Sequence, residues 1–272
     1  MSDVMPGRSR EWFAIRGPVT VTQKIVLALL IWAIFFGAWE FVSMAGLANT
    51  LLVPPPHKVL ATMVDLFANR GFTSDVLVSL ERVMLSFAIA CAVAAPLGVL
   101  MGVFPVIEAF LNPFVSAWRY LPAPSFIPIL LMWFGTGEAP KLVLLFIGVI
   151  FFLITLIMDH TKEVRQELIE TGMTLGADRM TIIRTVVVPA VLPNVMVAMR
   201  QMLAVSWTYL VIAEIVASTD GIGAMMMRAR RFLHTDEIMS GIVVIGVLGI
   251  ASDIIFRQLH RWFFPYLDRS KS

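Results

Sequence analysis

The sequence predicts an all-α integral membrane protein with six transmembrane helices, and three observations support this prediction. Hydrophobic residues make up 58% of the 272 residues, and charged residues make up only 15%. Soluble domains contain roughly 45–50% apolar and about 25% charged residues. Several apolar segments also reach the length of about 20 residues that a helix needs to cross the hydrocarbon core. Most of the chain is therefore expected to lie in lipid.

The predicted spans divide the chain into a membrane domain and two tails. The spans cover residues 25–47, 83–104, 113–134, 142–158, 195–217 and 241–262. They define a transmembrane domain at 25–262, with an N-terminal tail at 1–24 and a C-terminal tail at 263–272. The first tail is polar and basic, and no small-residue cleavage site is evident in the apolar run after it. A retained first helix is therefore favoured over a cleaved signal peptide.

The third span is expected to be broken. Pro122, Pro124 and Pro128 each remove a backbone donor, and prolines this dense interrupt a helix. Irregular backbone at membrane depth is tolerated only where protein or water satisfies the freed carbonyls. Residues 119–133 are accordingly predicted to face the protein interior.

Two further patterns predict helix packing. Between the first two spans, residues 57–69 carry apolar side chains at helical spacing, which indicates an amphipathic helix at the interface or against the bundle. In the second span, Gly98 and Gly102 form a G-x-x-x-G pair, which lets two helix backbones approach closely.

The distribution of Lys and Arg predicts that both termini are cytoplasmic. The face that would carry the two tails and the loop at 159–194 has more basic residues than the opposite face, as the positive-inside rule requires. The short segment at 105–112 is expected to be a turn on the same face. Arg228, Arg230 and Arg231 fall on the opposite face and reduce the difference.

Ionisable residues inside predicted spans are few, and two of them suggest alternative roles. Charges at membrane depth are costly and usually face the bundle interior. Arg119 could face a polar path through the membrane and attract a passing oxyanion. Alternatively, Arg119 and Glu214 could form a structural ion pair, and this second interpretation is favoured.

Several function classes are excluded. The net charge of +2 and the scattered basic residues do not indicate nucleic-acid binding, and the single cysteine, Cys91, cannot form an intrachain disulfide. The histidines lack metal-ligand spacing, so no metal site, cofactor or catalytic residue is predicted. The segment 135–141 resembles a P-loop only superficially, because Pro140 stands where the second glycine belongs. ATP hydrolysis must therefore belong to another polypeptide.

The loop at 159–194 is patterned as two short amphipathic helices. The first, at 163–175, is expected to end at Gly176, since glycine terminates a helix at low steric cost. Asp178 is expected to cap the second, at 180–188, which Pro189 and Pro193 would stop. Such a compact surface element has an apolar face that must pack against the bundle or a partner.

This loop resembles the EAA motif of ABC importer permeases. The matching residues run Glu170-Thr171-Gly172-x-x-Leu175-Gly176-Ala177, followed by a closing segment at 188–193 that contains Pro189 and Pro193. Thr171 and Gly172 replace the alanines of the motif and keep the positions small. The proline-rich segment at 119–128, Trp133-Phe134-Gly135-x-Gly137, Trp207, Ala213-Glu214 and Gly221-x-Gly223 are similar to the nitrate, sulfonate and taurine branch of these permeases.

The resemblance implies a type I ABC importer permease with a MetI-like fold in the bacterial cytoplasmic (inner) membrane. It implies three kinds of partner: a cytoplasmic ABC ATPase that receives the loop, a periplasmic or lipoprotein substrate-binding protein, and a second permease copy in a homodimer. Glu170 would hold the loop's shape by hydrogen bonding, Gly176 would permit its turn, and Leu175 would pack in the ATPase groove. The solute would be nitrate, a sulfonate, taurine or a similar small anion.

Two other function classes remain open on the residues alone. An ion-gradient-driven transporter or channel would use intramembrane carboxylates such as Glu40, Glu214 and Asp253, but it would need no structured cytoplasmic loop. A membrane-embedded enzyme would need converging catalytic groups, and none is evident.

Overall fold

The computed structural model describes residues 19–217 and 219–268, and these residues form helices and connecting turns without any strand. The predicted all-α fold is confirmed. Residues 1–18 of the N-terminal tail and residues 269–272 of the C-terminal tail lie outside the described residues. The α-helices are α1 (Val21–Met44), α2 (Pro56–Asn69), α3 (Phe72–Val103), α4 (Pro105–Arg119), α5 (Ile127–Phe134), α6 (Glu138–Lys162), α7 (Gln166–Thr174), α8 (Arg179–Ile182), α9 (Val188–Ala217), α10 (Ile222–Arg231), α11 (Thr235–Phe263) and α12 (Pro265–Asp268).

Five helices in the described residues are long and apolar enough to cross a membrane. They are α1, α3, α6, the continuous helix Arg179–Val216 and α11. The third predicted span corresponds to α4 and the shorter apolar stretch Ala123–Phe134. Several helices extend beyond their predicted spans, most of all α3, which begins at Phe72 and not near residue 83.

The third span is broken, but it begins earlier than expected. Residues 105–112, predicted as a turn, form the first half of α4. That prediction was wrong because Pro105 occupies the first helical position, where its fixed φ suits a helix and its missing N–H is not needed. After Arg119 the chain leaves the α-helix, passes through the 3₁₀ turn Ala123–Phe126 and resumes as α5.

The expected interior position of residues 119–133 is correct only for part of the segment. Ala123 and Leu130 are buried beside α6 and α9. In contrast, Tyr120, Met132 and Trp133 are exposed on the chain. One side of the broken segment therefore packs against the bundle and the other side is exposed, as is typical of a short amphipathic helix.

The second half of the predicted loop joins the fifth span without interruption. A π-helical turn at Ile183–Val187 links α8 to α9, and the Val188 N–H bonds to the Ile183 carbonyl. Pro189 and Pro193 lie inside this helix. The prediction that they would stop it was wrong. The wider π turn departs from regular i→i−4 bonding, so it accommodates the proline that follows it.

Helices α3, α6 and α9 form the centre of the bundle. Their buried residues make up most of the largest core cluster, together with Val115 of α4. The G-x-x-x-G pair lies at the tightest part of this core. A Cβ at Gly98 would lie 2.7 Å from the Ile157 Cβ, and one at Gly102 would lie 2.4 Å from the Thr161 Cβ. Only glycine allows α3 and α6 to approach this closely.

Helices α2, α10 and α11 form a smaller core at the end of the bundle where α3 and α11 begin. Leu66, Phe72, Ile222, Met225 and Val244 are buried together there. Ser240 also donates a hydrogen bond to the Val59 carbonyl at 3.0 Å. The amphipathic helix predicted at 57–69 thus packs on the membrane domain through one side.

Helix α1 has side-chain hydrogen bonds near both of its ends. Thr20 and Gln23 form a capping box at its start. At its other end, Trp39 and Ser43 donate hydrogen bonds to the Pro54 and Val53 carbonyls, at 3.1 and 2.7 Å. The side chains of the helix are largely exposed, as lipid contact requires.

Gly102→Ala is expected to lower the free energy of unfolding by about 1–3 kcal/mol, because the added methyl overlaps Thr161 and the Met158 carbonyl. Thermal unfolding of the detergent-solubilised protein measures the effect. Gly246→Ala is the matched control, since a Cβ there meets no atom within 4 Å. Equal stability of the two variants would contradict the proposed packing constraint.

Candidate functional site

The loop predicted to couple to an ATPase begins with α7, which ends in a Schellman motif. The Ala177 N–H bonds to the Gly172 carbonyl at 3.1 Å, and the Gly176 N–H bonds to the Met173 carbonyl at 3.0 Å. Gly176 has a φ of 80°, in the left-handed region that favours glycine. A Cβ there would meet no atom within 4 Å, so the requirement for glycine comes from the backbone and not from crowding.

A tight contact between α7 and α8 fixes the shape of the loop. A Cβ on Gly172 would lie 3.3 Å from Cγ1 of Ile182, whose side chain is buried. The Asp178 carboxylate accepts a hydrogen bond from the Thr181 N–H at 3.2 Å, as a helix N-cap should. Hydrogen bonds to Thr181 also lower the pKa of Asp178. The predicted end at Gly176 and the predicted cap at Asp178 are both present.

One face of α7 is open to solvent. It is formed by Glu167, Glu170, Thr171, Thr174 and Leu175, and we call it the coupling face. The Leu175 side chain is 82% exposed, so the coupling face presents a large apolar side chain to solvent.

The Glu170 side chain does not have the role predicted for it. Its carboxylate makes no hydrogen bond within the described residues, and only its backbone carbonyl accepts one, from the Thr174 hydroxyl at 2.8 Å. The side chain therefore does not hold the loop's shape. The Schellman motif and the contact at Gly172 serve that purpose, and the Glu170 carboxylate is left exposed on the coupling face.

The loop is attached to the bundle at both ends. At its start, Lys162 at the end of α6 bonds to Glu108 of α4 at 2.5 Å. At its other end, Ile182, Ile183 and Val187 are buried, and the helix continues into α9. Pro189 is exposed and Pro193 is buried within this helix. The second half of the loop and α9 thus form one continuous helix.

A second group of functional candidates lies at the opposite end of the bundle, around Arg82. Its guanidinium bonds to Glu138 at 2.6 and 2.7 Å and to Glu214 at 2.7 Å, and it also contacts Asp220. Lys141 adds a contact to Glu138 at 2.7 Å. We call these five residues the Arg82 cluster. The Arg82 and Glu214 side chains are 3% and 0% exposed.

The predicted ion pair between Arg119 and Glu214 was wrong. Glu214 pairs with Arg82, while the guanidinium of Arg119 lies 5.5 Å from the ring centroid of Tyr120. Sequence reasoning missed Arg82 because Glu81 and Arg82 interrupt the apolar run, so the span was started at Val83. The available signal was the spacing of Ser79, Arg82 and Ser86, which places three polar groups on one helical face.

Glu214 also organises the start of α10. Its carboxylate accepts hydrogen bonds from the Ser79 hydroxyl and, at 2.8 Å, from the Gly223 N–H. The Ile222 N–H bonds to the Ser79 hydroxyl at 2.9 Å. A Cβ at Gly221 would lie 2.3 Å from Glu214 Oε1, and one at Gly223 would lie 2.6 Å from the Glu214 Cβ. The Gly221-x-Gly223 pattern therefore exists to admit this carboxylate.

The fold and these two sites define a multi-span membrane protein with a structured surface loop, which is the arrangement of a transport permease. Residues 94–269 match the model of the binding-protein-dependent transport system inner membrane component family. The chain belongs to this family.

Known relatives agree with the family match. The chain is 30% identical to the taurine transport system permease protein of Escherichia coli, covering 98% of this chain and 97% of the relative. It is 28% identical to an aliphatic sulfonates transport permease protein of Bacillus subtilis, covering 86% and 84%. It is 25% identical to the bicarbonate transport system permease protein of Synechococcus elongatus, covering 71% and 70%.

Solved structures show the same fold. The chain matches a structure of the inward-facing MetNI methionine ABC transporter with a TM-score of 0.58 and 21% identity, covering 69% of this chain and 95% of that one. It matches an amino acid ABC transporter with a TM-score of 0.55 and 16% identity, covering 75% and 96%. The predicted MetI-like fold is confirmed.

The protein is therefore a membrane permease of an ABC import system and works with an ATPase. The prediction that it is not an enzyme is confirmed by its family and relatives. Membership of this family also favours the permease function over the ion-gradient-driven transporter or channel considered above.

Arg82→Gln is expected to lower the free energy of unfolding by about 3–5 kcal/mol, because it leaves the buried Glu214 carboxylate without its charged partner. Arg119→Gln is the matched control and is expected to cost far less, since Arg119 contacts only an exposed ring. Thermal unfolding in detergent measures both. A larger loss of stability in Arg119→Gln than in Arg82→Gln would instead support the Arg119–Glu214 ion pair predicted from the sequence.

Proposed function

We propose that the permease imports a small anion and that its coupling face docks in a groove of the ATPase. Two permease copies would form the pathway, and a substrate-binding protein would deliver the solute on the side opposite the coupling face. The observation that carries this proposal is the exposed face of α7 on a rigid turn that is continuous with a spanning helix.

The chemistry of the coupling face indicates what it would meet. Leu175 supplies a large exposed apolar side chain, and Glu167 and Glu170 supply two exposed carboxylates beside it. A complementary groove would have an apolar pocket for Leu175 and basic residues at its edge. The carboxylates would then steer and orient the partner, while Leu175 would supply most of the affinity.

The connection between the coupling face and α9 suggests how ATP drives transport. Closure of an ATPase dimer would move the two docked loops toward each other as rigid bodies. Because α8, the π turn and α9 form a continuous helix, that movement would tilt α9 and with it the packed core of α3 and α6. The pathway would thereby open alternately to the two sides.

This arrangement supports a cytoplasmic position for the loop and for both termini in the bacterial inner membrane. The ATPase is cytoplasmic in systems that hydrolyse cellular ATP, so the coupling face must be on that side. The solute-binding protein would then meet the surface formed by α10 and the start of α11.

The relatives suggest a sulfonate, taurine or bicarbonate as the solute, and nitrate belongs to the same chemical group of small oxyanions. Arg119 supports an anionic solute. Within the described residues its guanidinium has no carboxylate partner and only the Tyr120 ring beside it. A partly exposed arginine in that state can offer its donors to a sulfonate or a carboxylate.

Gly176→Val is expected to abolish assembly with the ATPase and solute uptake, because a β-branched residue is strained at a φ of 80° and the Schellman turn would rearrange. Co-purification of the cognate ATPase with the tagged permease measures assembly. Gly46→Val is the control, since Gly46 has a φ of 70° and equal free space but lies far along the chain from the loop.

Leu175→Ala tests the same interface without changing the turn. It is expected to weaken ATPase binding by roughly tenfold or more, which corresponds to about 1.4 kcal/mol or more. Met173→Ala, also exposed on α7 but outside the coupling face, should have little effect. Normal ATPase assembly in both Gly176→Val and Leu175→Ala would refute the docking assignment.

Arg119→Gln is expected to reduce uptake of a radiolabelled sulfonate while leaving ATPase assembly intact, because only the attraction of the pathway for the anion is lost. Arg119→Lys should retain part of the activity, since it keeps the charge. Unchanged uptake in Arg119→Gln would show that the residue is structural.

A further inference from the structure

A cluster of three charged residues joins α9 and α11 and is not part of either site described above. Nε of Arg200 in α9 lies 3.4 Å from Oδ1 of Asp253 in α11, and Arg257, one turn further along α11, bonds to the other oxygen of Asp253. Two guanidinium groups thus share one carboxylate. We call these residues the Arg200 cluster.

The charge of the Arg200 cluster is not balanced. Asp253 is the only partner of either arginine within the described residues, so two positive charges face one negative charge. Each guanidinium has five N–H donors, and most of them remain without an acceptor. The Arg82 cluster is the opposite case, because there the donors of the buried guanidinium meet three carboxylates and a backbone carbonyl.

The cluster lies within the membrane-spanning part of both helices. Arg200 lies about 8 Å inside the start of the predicted span 195–217, and Asp253 lies about 14 Å from the end of the predicted span 241–262. The aromatic residues Trp262, Phe263 and Tyr266 follow, as is typical of a membrane interface. A net charge at this depth is costly unless water or a counter-ion accompanies it.

The side chains of the cluster are accessible. Arg200 is 32% exposed, Asp253 39% and Arg257 51%. Uncompensated charge, unused donors and exposure together make the cluster suited to an anion of one charge beside Asp253. A planar guanidinium pairs best with an oxyanion that accepts two parallel hydrogen bonds.

We propose that the Arg200 cluster binds a singly charged oxyanion, with Arg200 and Arg257 as donors and Asp253 holding the two guanidinium groups in place. The two sources of such an anion are the sulfonate or carboxylate group of a transported solute and the phosphate of an anionic lipid. The inference rests on the proposed function only in the choice of a sulfonate as probe.

The test uses the full-length permease in nanodiscs of phosphatidylcholine, which carries no net charge. The shift in melting temperature is titrated with ethanesulfonate, and in a second series phosphatidylglycerol replaces part of the lipid. For the responding anion, Arg257→Gln is expected to weaken binding at least fivefold. Asp253→Asn is expected to strengthen it by a similar factor, because it raises the cluster's charge from one to two.

Two controls separate binding from structure. Arg261→Gln removes another exposed arginine of α11, which lies outside the cluster, and should leave binding unchanged. Arg257→Lys keeps the charge and should retain most of the affinity, even if Arg257→Gln folds poorly. An ion pair with a purely structural role would lose stability in Asp253→Asn and gain no affinity for any anion.

The outcomes identify the source or reject the site. A response to ethanesulfonate in phosphatidylcholine identifies a soluble oxyanion, and a response to phosphatidylglycerol alone identifies a lipid headgroup. No response to either, or responses that are equal in Arg257→Gln, Asp253→Asn and the unchanged protein, would overturn the proposal. Because the assay needs no ATPase, its failure would not affect the coupling assignment, which Gly176→Val and Leu175→Ala test separately.

Discussion

The buried pairing of Arg82 with Glu214 is the interaction on which the arrangement of the membrane domain depends. Neither side chain has access to solvent, so each requires the other. Arg82 belongs to α3, Glu214 to α9, and Glu138 to the start of α6. The Glu214 carboxylate also fixes the N-terminus of α10 through Ser79 and Gly223. One guanidinium therefore determines where four helices meet.

The opposite end of the same helices is organised by backbone shape and not by charge. Gly98 and Gly102 bring α3 and α6 into direct contact, and Gly172 brings α7 onto Ile182. At this end the π turn makes the surface loop an extension of α9. Helix α9 is thus held by ionic bonds at one end and joined to the coupling face at the other. A displacement of the loop can reach the Arg82 cluster through a single helix.

The sequence was sufficient to predict the features that depend on local chemistry. Helix termination at Gly176, capping by Asp178 and the break after Arg119 each follow from the residue at that position. The sequence was not sufficient where tertiary contacts determine the bounds of a helix or the partner of a charged residue. The start of α3 was misplaced because hydropathy registers Arg82 as polar, whereas three carboxylates make it a core residue. The partner of Glu214 could not be inferred, since pairing between distant helices leaves no local pattern.

Proline shows the same distinction in the backbone. Pro122 and Pro124 lie where the helix is interrupted, as expected, and Pro128 lies in the first turn of α5. Pro189 and Pro193, in contrast, lie in a continuous helix. The difference is the π turn before Pro189, whose hydrogen bonding already departs from the regular pattern. Sequence alone does not reveal a π turn, because it arises when both flanking segments are held by packing. Here Ile182 is buried before the turn and Val191 is buried after it.

The two ionic clusters show how one membrane domain can use charge in two ways. In the Arg82 cluster, carboxylates outnumber the cations and three of the side chains are buried, so the charges hold helices together. In the Arg200 cluster, cations outnumber carboxylates and all three side chains are accessible. Lipid cannot supply the missing negative charge through its acyl chains. An excess of donors at membrane depth is therefore the property that distinguishes a ligand site from a structural one.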